Sequence, residues 1–163
     1  YGNAFSTFTA QNYGAGKIKR AKKGVTECLI MTLFSALLLA SLYLSFGRYG
    51  FMLFASDEAV VEIGMRILNT IAPVFLIYVP IEIYSGALRG AGKTVVPTLF
   101  TVFGICGTRI IWLSTPIGSA SIERVMLSYA ISWTLVALLF VIYYYSTDGF
   151  GERTQDSSDL PPV

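Results

Sequence analysis

The sequence contains no histidine and only two cysteines among its 163 residues. Without histidine, a Ser-His-Asp triad and a histidine-based proton relay are excluded, and transition metals lose one of their usual ligands. Cys28 and Cys106 lie in apolar stretches, where a thiol behaves as a small hydrophobic group, so no disulfide framework is indicated. Because paired carboxylates are also missing, the sequence predicts neither a metal site nor an enzyme.

Charge is equally scarce. Only 13% of the residues are charged and 54% are apolar, whereas a soluble domain carries about 25% charged residues. Long apolar stretches take up most of the chain and leave no segment large enough for a separate water-soluble core. The composition therefore predicts one all-α integral membrane domain, over residues 1–147, whose main partner is the lipid bilayer.

The apolar stretches have the length of membrane-spanning helices. A helix needs about 20 predominantly apolar residues to cross a hydrocarbon layer of about 30 Å. Glycine and proline mark the gaps between the stretches, as expected for connecting turns. We predict the end of one helix at residues 1–11, followed by four spans at residues 25–47, 67–88, 95–116 and 125–147.

Two further boundaries follow from local chemistry. Asp57 and Glu58 would complement the positive end of a helix dipole, so we expect the second spanning helix to begin there and to run unbroken to Leu88. After the last span, residues 148–163 are rich in proline, serine and aspartate. This composition predicts a disordered tail.

The distribution of lysine and arginine predicts the orientation in the membrane. Seven cations lie in the loops at residues 12–24 and 89–94, against three in the opposite loops, at Arg48, Arg66 and Arg124. Both basic loops and the C-terminal tail are therefore predicted to be cytoplasmic in the cell membrane. The cations at residues 17–23 have no interleaved aromatic residues, which favours a membrane anchor over a nucleic-acid site.

Glu82 is the carboxylate that we single out as a candidate site, because it lies within the second span. Charged residues within spans usually face a bundle interior and mark an ion or substrate path. Tyr78 lies on the same helix face, one turn away. Pro73 and Pro80 on the same helix would free backbone carbonyls and allow bending, so we predict that this helix acts as a gate.

Glu82 has an alternative interpretation as half of a structural ion pair with a basic group near the cytoplasmic end. Arg109, in the third span, is one possible partner. Its predicted depth differs from that of Glu82 by about 10 Å at 1.5 Å per residue. We therefore expect Arg109 to pack between helices or to extend toward the outer face.

Two loops resemble the signatures of a known family, the multidrug and toxic compound extrusion (MATE) transporters. The strings are AQNYGAGKIKRAKKG at residues 10–24 and SGALRGAGKTVVPT at residues 85–98. The string SDEAVVEIGMRI at residues 56–67 is also similar to the family's link between its ninth and tenth helices. The loop signatures are carried by Gln11, Asn12, Gly14, Gly16, Gly86, Arg89, Gly90 and Gly92.

The resemblance implies a transporter of twelve helices in two bundles, of which this chain would hold the end of the eighth helix and helices nine to twelve. Its partners would be the missing N-terminal helices and a small organic, often cationic, substrate. Export would be coupled to Na⁺ or H⁺, with no bound cofactor. Relatives with a cation-site carboxylate place it on the tenth helix, near the position of Tyr78 when counted back from Arg89. Glu82 is a candidate for another reason, which is its position within the span.

Two other functions stay open at this point. A flippase for lipid precursors, from the same superfamily, would need a basic cavity to hold a pyrophosphate, and this segment offers only Arg109 at mid-depth. A small four-helix scaffold protein of the membrane would need no transport site at all. A second copy of the two loop signatures upstream of Tyr1 would favour the transporter.

Overall fold

The computed structural model describes residues 1–118 and 120–150, and within them it consists of helices and turns without strands. Four helices within these residues are long and apolar enough to cross a membrane, which confirms the predicted all-α membrane class. Each of the four predicted spans overlaps one of these helices, although the ends of the helices differ from the predicted ends. The five helices are α1 (Gly2–Gly14), α2 (Ile18–Met52), α3 (Glu58–Gly90), α4 (Val95–Leu113) and α5 (Ile122–Ser146).

Helix α3 begins where the sequence predicts. The carboxylate of Asp57 accepts a hydrogen bond from the backbone N–H of Ala59 at 2.9 Å, as a helix cap does. The helix is not unbroken, however, because a 3₁₀ turn occupies Ala72–Val74. Pro73 has no N–H to donate within the helix, so the chain tightens there before the α-helical winding resumes.

Helix α4 differs from its prediction in two ways. It ends at Leu113 rather than at residue 116. The reason is Pro116, because the residue that precedes a proline disfavours helical geometry. The hydroxyl of Thr115 donates to the carbonyl of Trp112 at 2.7 Å as the helix ends. In addition, Phe100–Gly107 is wound as a π-helix, a feature that the hydropathy pattern does not reveal.

The core surrounds the C-terminal half of α3. Ile83 and Leu88 are fully buried there, and Val136 and Phe140 of α5 are fully buried in the same cluster. Helix α2, in contrast, exposes most of its large apolar side chains. Such a surface is suited to lipid or to further helices rather than to water.

Glycines bring α1 and α3 into backbone contact. A Cβ built on Gly86 would lie 2.9 Å from the carbonyl oxygen of Gly2, and one on Gly90 would meet Ser6 and Thr9. The spacing Gly-x-x-x-Gly is a common means of close helix approach in membranes. Since Gly2 faces Gly86 and Ser6 faces Gly90, the two helices run parallel, and the loops that follow them lie at one end of the bundle, which we call the basic end.

The first residues after α5 are folded onto the basic end. Asp148 pairs with Lys22 at 2.7 Å, and Phe150 is buried between the rings of Tyr13 and Tyr144. The prediction of a disordered tail is therefore wrong for residues 148–150. The aromatic side chain of Phe150 packs there in a partly apolar site formed by two tyrosine rings. The remainder of the predicted tail, residues 151–163, lies outside the described residues.

Candidate functional site

The two signature loops have the same backbone structure. After α1, Gly16 has a φ of +71°, its N–H donates to the carbonyl of Tyr13 at 3.1 Å, and the N–H of Lys17 donates to the carbonyl of Asn12 at 2.8 Å. This pair of bonds is a Schellman cap, which ends a helix and requires a left-handed residue. Glycine adopts that conformation without the steric cost of a Cβ.

The loop after α3 repeats this geometry. Gly92 has a φ of +83° and donates to the carbonyl of Arg89 at 3.0 Å, while Lys93 donates to the carbonyl of Leu88 at 2.9 Å. The sequence Gly-Ala-Gly-Lys, which both loops share, therefore forms the same turn in each of them. Gly86 and Gly90 contribute to packing as well, whereas Gln11 and Arg89 are exposed.

Glu82 lies in the part-buried region between α1 and α3, about 12 Å along the helix from Gly90 at 1.5 Å per residue. The hydroxyl of Tyr78 donates to its Oε2 atom at 3.4 Å. On the other side, the carboxylate and its Cγ lie directly against Gly2, in the space that a Cβ of that residue would need. The structure therefore brings Tyr78 and Glu82 together, as their spacing predicts.

The start of α1 also contacts α2 beside this site. The hydroxyl of Tyr1 is hydrogen-bonded to the hydroxyl of Ser35 at 2.8 Å. The residue that precedes α1 thus contacts α2, while the next residue, Gly2, contacts Glu82 on α3. The sequence did not reveal this role of Gly2, because one glycine in a polar helix end has no distinguishing pattern.

No lysine or arginine within the described residues lies within 4.0 Å of the Glu82 carboxylate. Arg109 has a different set of contacts on α5. Its guanidinium carbon lies 3.8 Å from the centre of the Tyr129 ring, and its Nε donates to the hydroxyl of Ser132 at 3.3 Å. Arg109 thus packs between helices, and the described residues supply no ion pair for Glu82.

Trp133 connects the two charged regions, and it is a residue that the sequence interpretation missed. Its ring lies 5.1 Å from that of Tyr78, 5.4 Å from that of Phe75 and 5.6 Å from that of Tyr129. The aromatic cluster therefore extends from the hydrogen-bond donor of Glu82 to the ring that Arg109 covers. The spacing of Tyr129, Ser132 and Trp133 on one face of α5 is the only sequence signal for it.

Both prolines of the predicted gate lie on the same helix as Glu82. Pro73 lies in the 3₁₀ turn, and Pro80 lies inside the helix, where the carbonyl of Leu76 cannot receive the usual hydrogen bond from residue 80. The residues described contain no group of three or more His, Cys, Asp or Glu side chains placed to hold a metal ion. What the site offers is one carboxylate, one phenol and aromatic rings.

The model of the MatE family matches residues 1–115 of the chain. A curated relative from Bacillus subtilis (strain 168), the "Probable multidrug resistance protein YoeA", is 24% identical over 145 residues, which is 88% of this chain and 31% of the relative. The chain thus spans about a third of the length of this relative. No solved structure matches the chain.

Proposed function

The chain belongs to the MatE family, and from that premise we propose that it forms the last part of the C-terminal bundle of a secondary transporter that exports small organic compounds. The full transporter would include N-terminal helices outside this sequence. Alternating access would come from rocking of two helix bundles around a central site, as in other transporters built from repeats. The name of the Bacillus subtilis relative supports multidrug compounds as the substrate class.

The observation that carries this proposal is the Glu82 carboxylate. It is part-buried inside a spanning helix, it accepts a hydrogen bond from Tyr78, and the described residues give it no cationic partner. An unpaired carboxylate at such a depth costs free energy, and functional ion or proton sites are the usual reason for its retention. We propose that Glu82 binds the coupling cation, Na⁺ or H⁺.

The two ions place different demands on this site. A proton needs only the carboxylate, whereas a sodium ion needs several oxygen ligands, of which Glu82 and Tyr78 could supply two. Pro73 and Pro80 each remove a backbone donor from the helix, which would let it bend when the charge of Glu82 changes. In this proposal α3 is the gating helix, and both signature loops lie on the cytoplasmic side with the beginning of the tail.

The contacts of Arg109 favour the transporter over the flippase. A pyrophosphate site would need free cationic groups in a cavity, but the guanidinium of Arg109 is stacked on Tyr129 and bonded to Ser132. A scaffold protein has no use for a half-buried carboxylate without a partner. Export driven by a cation gradient is therefore the function that the site supports best.

The test is Glu82→Gln in the full-length protein, reconstituted in liposomes. Glutamine keeps the side-chain volume and removes the charge that a cation needs. Export driven by an imposed Na⁺ or H⁺ gradient should fall to background, whereas abundance and melting temperature should stay near those of the parent protein. Glu62→Gln, an exposed change on the same helix, serves as the control and should transport normally. Normal export by the Glu82 variant under both gradients would refute the assignment.

A further inference from the structure

A polar groove of about 190 Å³ lies at the basic end, between the start of α2 and the end of α5. Its volume is below the range of about 300–1,000 Å³ that is usual for drug-sized ligands, so it suits a small polar group. Tyr1 precedes α1 at the other end of that helix, about 20 Å away at 1.5 Å per residue. The groove is lined by Lys22, Val25, Thr26, Tyr144, Tyr145, Asp148 and Gly149.

Among the described residues, two ion pairs involve the first turns of α2, and one of them lies in the groove. Lys22 and Asp148 are 2.7 Å apart, and the lysine side chain is only 35% exposed. Lys23 and Glu27 are 3.5 Å apart on the open face of α2, where 78% and 61% of their side chains are exposed. The two pairs have the same chemistry but different surroundings, so a ligand bound in the groove should depend only on the first.

The backbone that follows α5 holds Asp148 at the groove. Asp148 has a φ of +52°, a left-handed conformation that aspartate tolerates better than most residues. The next N–H, that of Gly149, donates to the carbonyl of Tyr144 at 2.6 Å, and the buried ring of Phe150 anchors the turn against Tyr13. The carboxylate is therefore fixed in position, yet its side chain is 87% exposed and accessible to a ligand.

The groove presents charges of both signs to one ligand. The ammonium of Lys22 can donate to a phosphate, and the exposed hydroxyl of Thr26 lines the same space. The carboxylate of Asp148 can accept from an ammonium group, which the face of the exposed Tyr145 ring would also attract. A simple anion would be repelled by Asp148, and a simple cation by Lys22. A ligand with both a phosphate and an ammonium group complements both residues.

The helix faces next to the groove are suited to hydrocarbon chains. Ile30 lies one turn after Thr26 on α2, and Ile142 lies about one turn before Tyr145 on α5. Both isoleucines are exposed, and both lie on the side of the groove toward the middle of the spans. Tyrosine at the end of a spanning helix is typical of the interface between lipid and water. The groove therefore lies where the headgroup of a phospholipid would be, with apolar surface available for its chains.

We propose that this groove binds the headgroup of phosphatidylethanolamine, with the phosphate on Lys22 and the ammonium group on Asp148. Phosphatidylcholine has the same phosphate and the same net charge, but its quaternary ammonium group has no N–H to donate to the carboxylate. The groove should therefore distinguish the two lipids. This inference goes beyond the proposed function and does not rest on it, because Glu82 has no part in the groove.

The first experiment compares lipids without any substitution. Dioleoylphosphatidylethanolamine or dioleoylphosphatidylcholine is added to the full-length protein in detergent, and bound lipid is measured by native mass spectrometry. The dissociation constant should be at least about fivefold lower for the ethanolamine lipid, because the choline lipid loses hydrogen bonds to a charged group. Equal dissociation constants would overturn the proposal.

Two substitutions in the groove separate the two charges. Asp148→Asn should raise the dissociation constant of the ethanolamine lipid to near that of the choline lipid, whose own value should not change. Lys22→Gln should weaken binding of both lipids, because they share the phosphate. The controls Lys23→Gln and Glu27→Gln remove the same charges outside the groove and should change neither value. Melting temperatures without added lipid should stay near that of the parent protein, since surface ion pairs contribute little to stability.

Two further results would overturn the proposal. If Lys23→Gln weakens binding as much as Lys22→Gln, the lipid responds to the total charge of the basic end and not to the groove. If dioleoylphosphatidylglycerol binds more tightly than the ethanolamine lipid and loses affinity in Lys22→Gln, the groove is a site for anionic lipid. Glu82→Gln should keep the preference for the ethanolamine lipid, so failure of the proposed transport function would leave this inference standing.

Discussion

The carboxylate of Glu82 packs directly on Gly2, in the space that any larger residue at that position would fill. The contact places the charged group of α3 against the backbone of α1. It also explains why the two helices can come so close, since Gly86 faces the carbonyl of Gly2 on the next turn. The position of the carboxylate therefore depends on the absence of a side chain on another helix.

Gly2→Ala should move the Glu82 carboxylate. The new methyl group would collide with the side chain, which can swing away, while alanine stabilises a helix by up to about 1 kcal/mol relative to glycine. We expect a melting temperature near that of the parent protein and reduced gradient-driven export by reconstituted full-length protein. Gly14→Ala is the control, because nothing lies within 4 Å of the position of its Cβ. Equal export by both variants would show that the contact has no functional role.

Arg109 and Tyr129 should be energetically coupled. The guanidinium lies 3.8 Å from the ring centre, a distance at which cation–π contacts contribute about 0.5–2 kcal/mol. In a double-mutant cycle of Arg109→Gln and Tyr129→Leu, thermal unfolding in detergent should give a coupling energy in that range. The same cycle with Arg124 in place of Arg109 should give none, since Arg124 bonds to the carbonyl of Ile117. Additive effects of Arg109 and Tyr129 would contradict the packing role.

The left-handed glycines of the two signature loops should resist substitution. Gly16→Ala and Gly92→Ala each place a Cβ in a conformation that costs about 1–2 kcal/mol. Asparagine tolerates this conformation better, so Gly16→Asn and Gly92→Asn should recover part of the lost stability. Melting temperatures in detergent provide the measurement. Alanine variants as stable as the parent protein would mean that the Schellman caps do not stabilise the loops.

The basic end should face the cytoplasm. Seven cations flank its loops, against three at the opposite end, and basic loops are retained on the cytoplasmic side. In a background with Cys28 and Cys106 replaced by alanine, Lys19→Cys and Lys93→Cys should resist an impermeant thiol reagent in intact cells and react after lysis. Glu62→Cys, toward the other end of α3, should react without lysis. The opposite labelling pattern would reverse the orientation.

Local features of the sequence were sufficient for the outline of the fold. The four spans follow from the length of apolar stretches, and the start of α3 follows from the capping carboxylate of Asp57. The family was also recognisable from the loop strings, and the MatE match confirms it. These features depend only on residues close together in the sequence or on the thickness of the bilayer. They can therefore be recognised in a single sequence.

The contacts between helices were decided only by the tertiary structure. The sequence marks Glu82 and Arg109 as unusual, but it does not reveal that one lies against Gly2 and the other against Tyr129. Each residue rotates the helix face by about 100°, and the π-helical turns at Phe100–Gly107 and the 3₁₀ turn at Ala72–Val74 change that rotation locally. Which side chains meet therefore depends on rotations summed along two helices, which hydropathy does not encode.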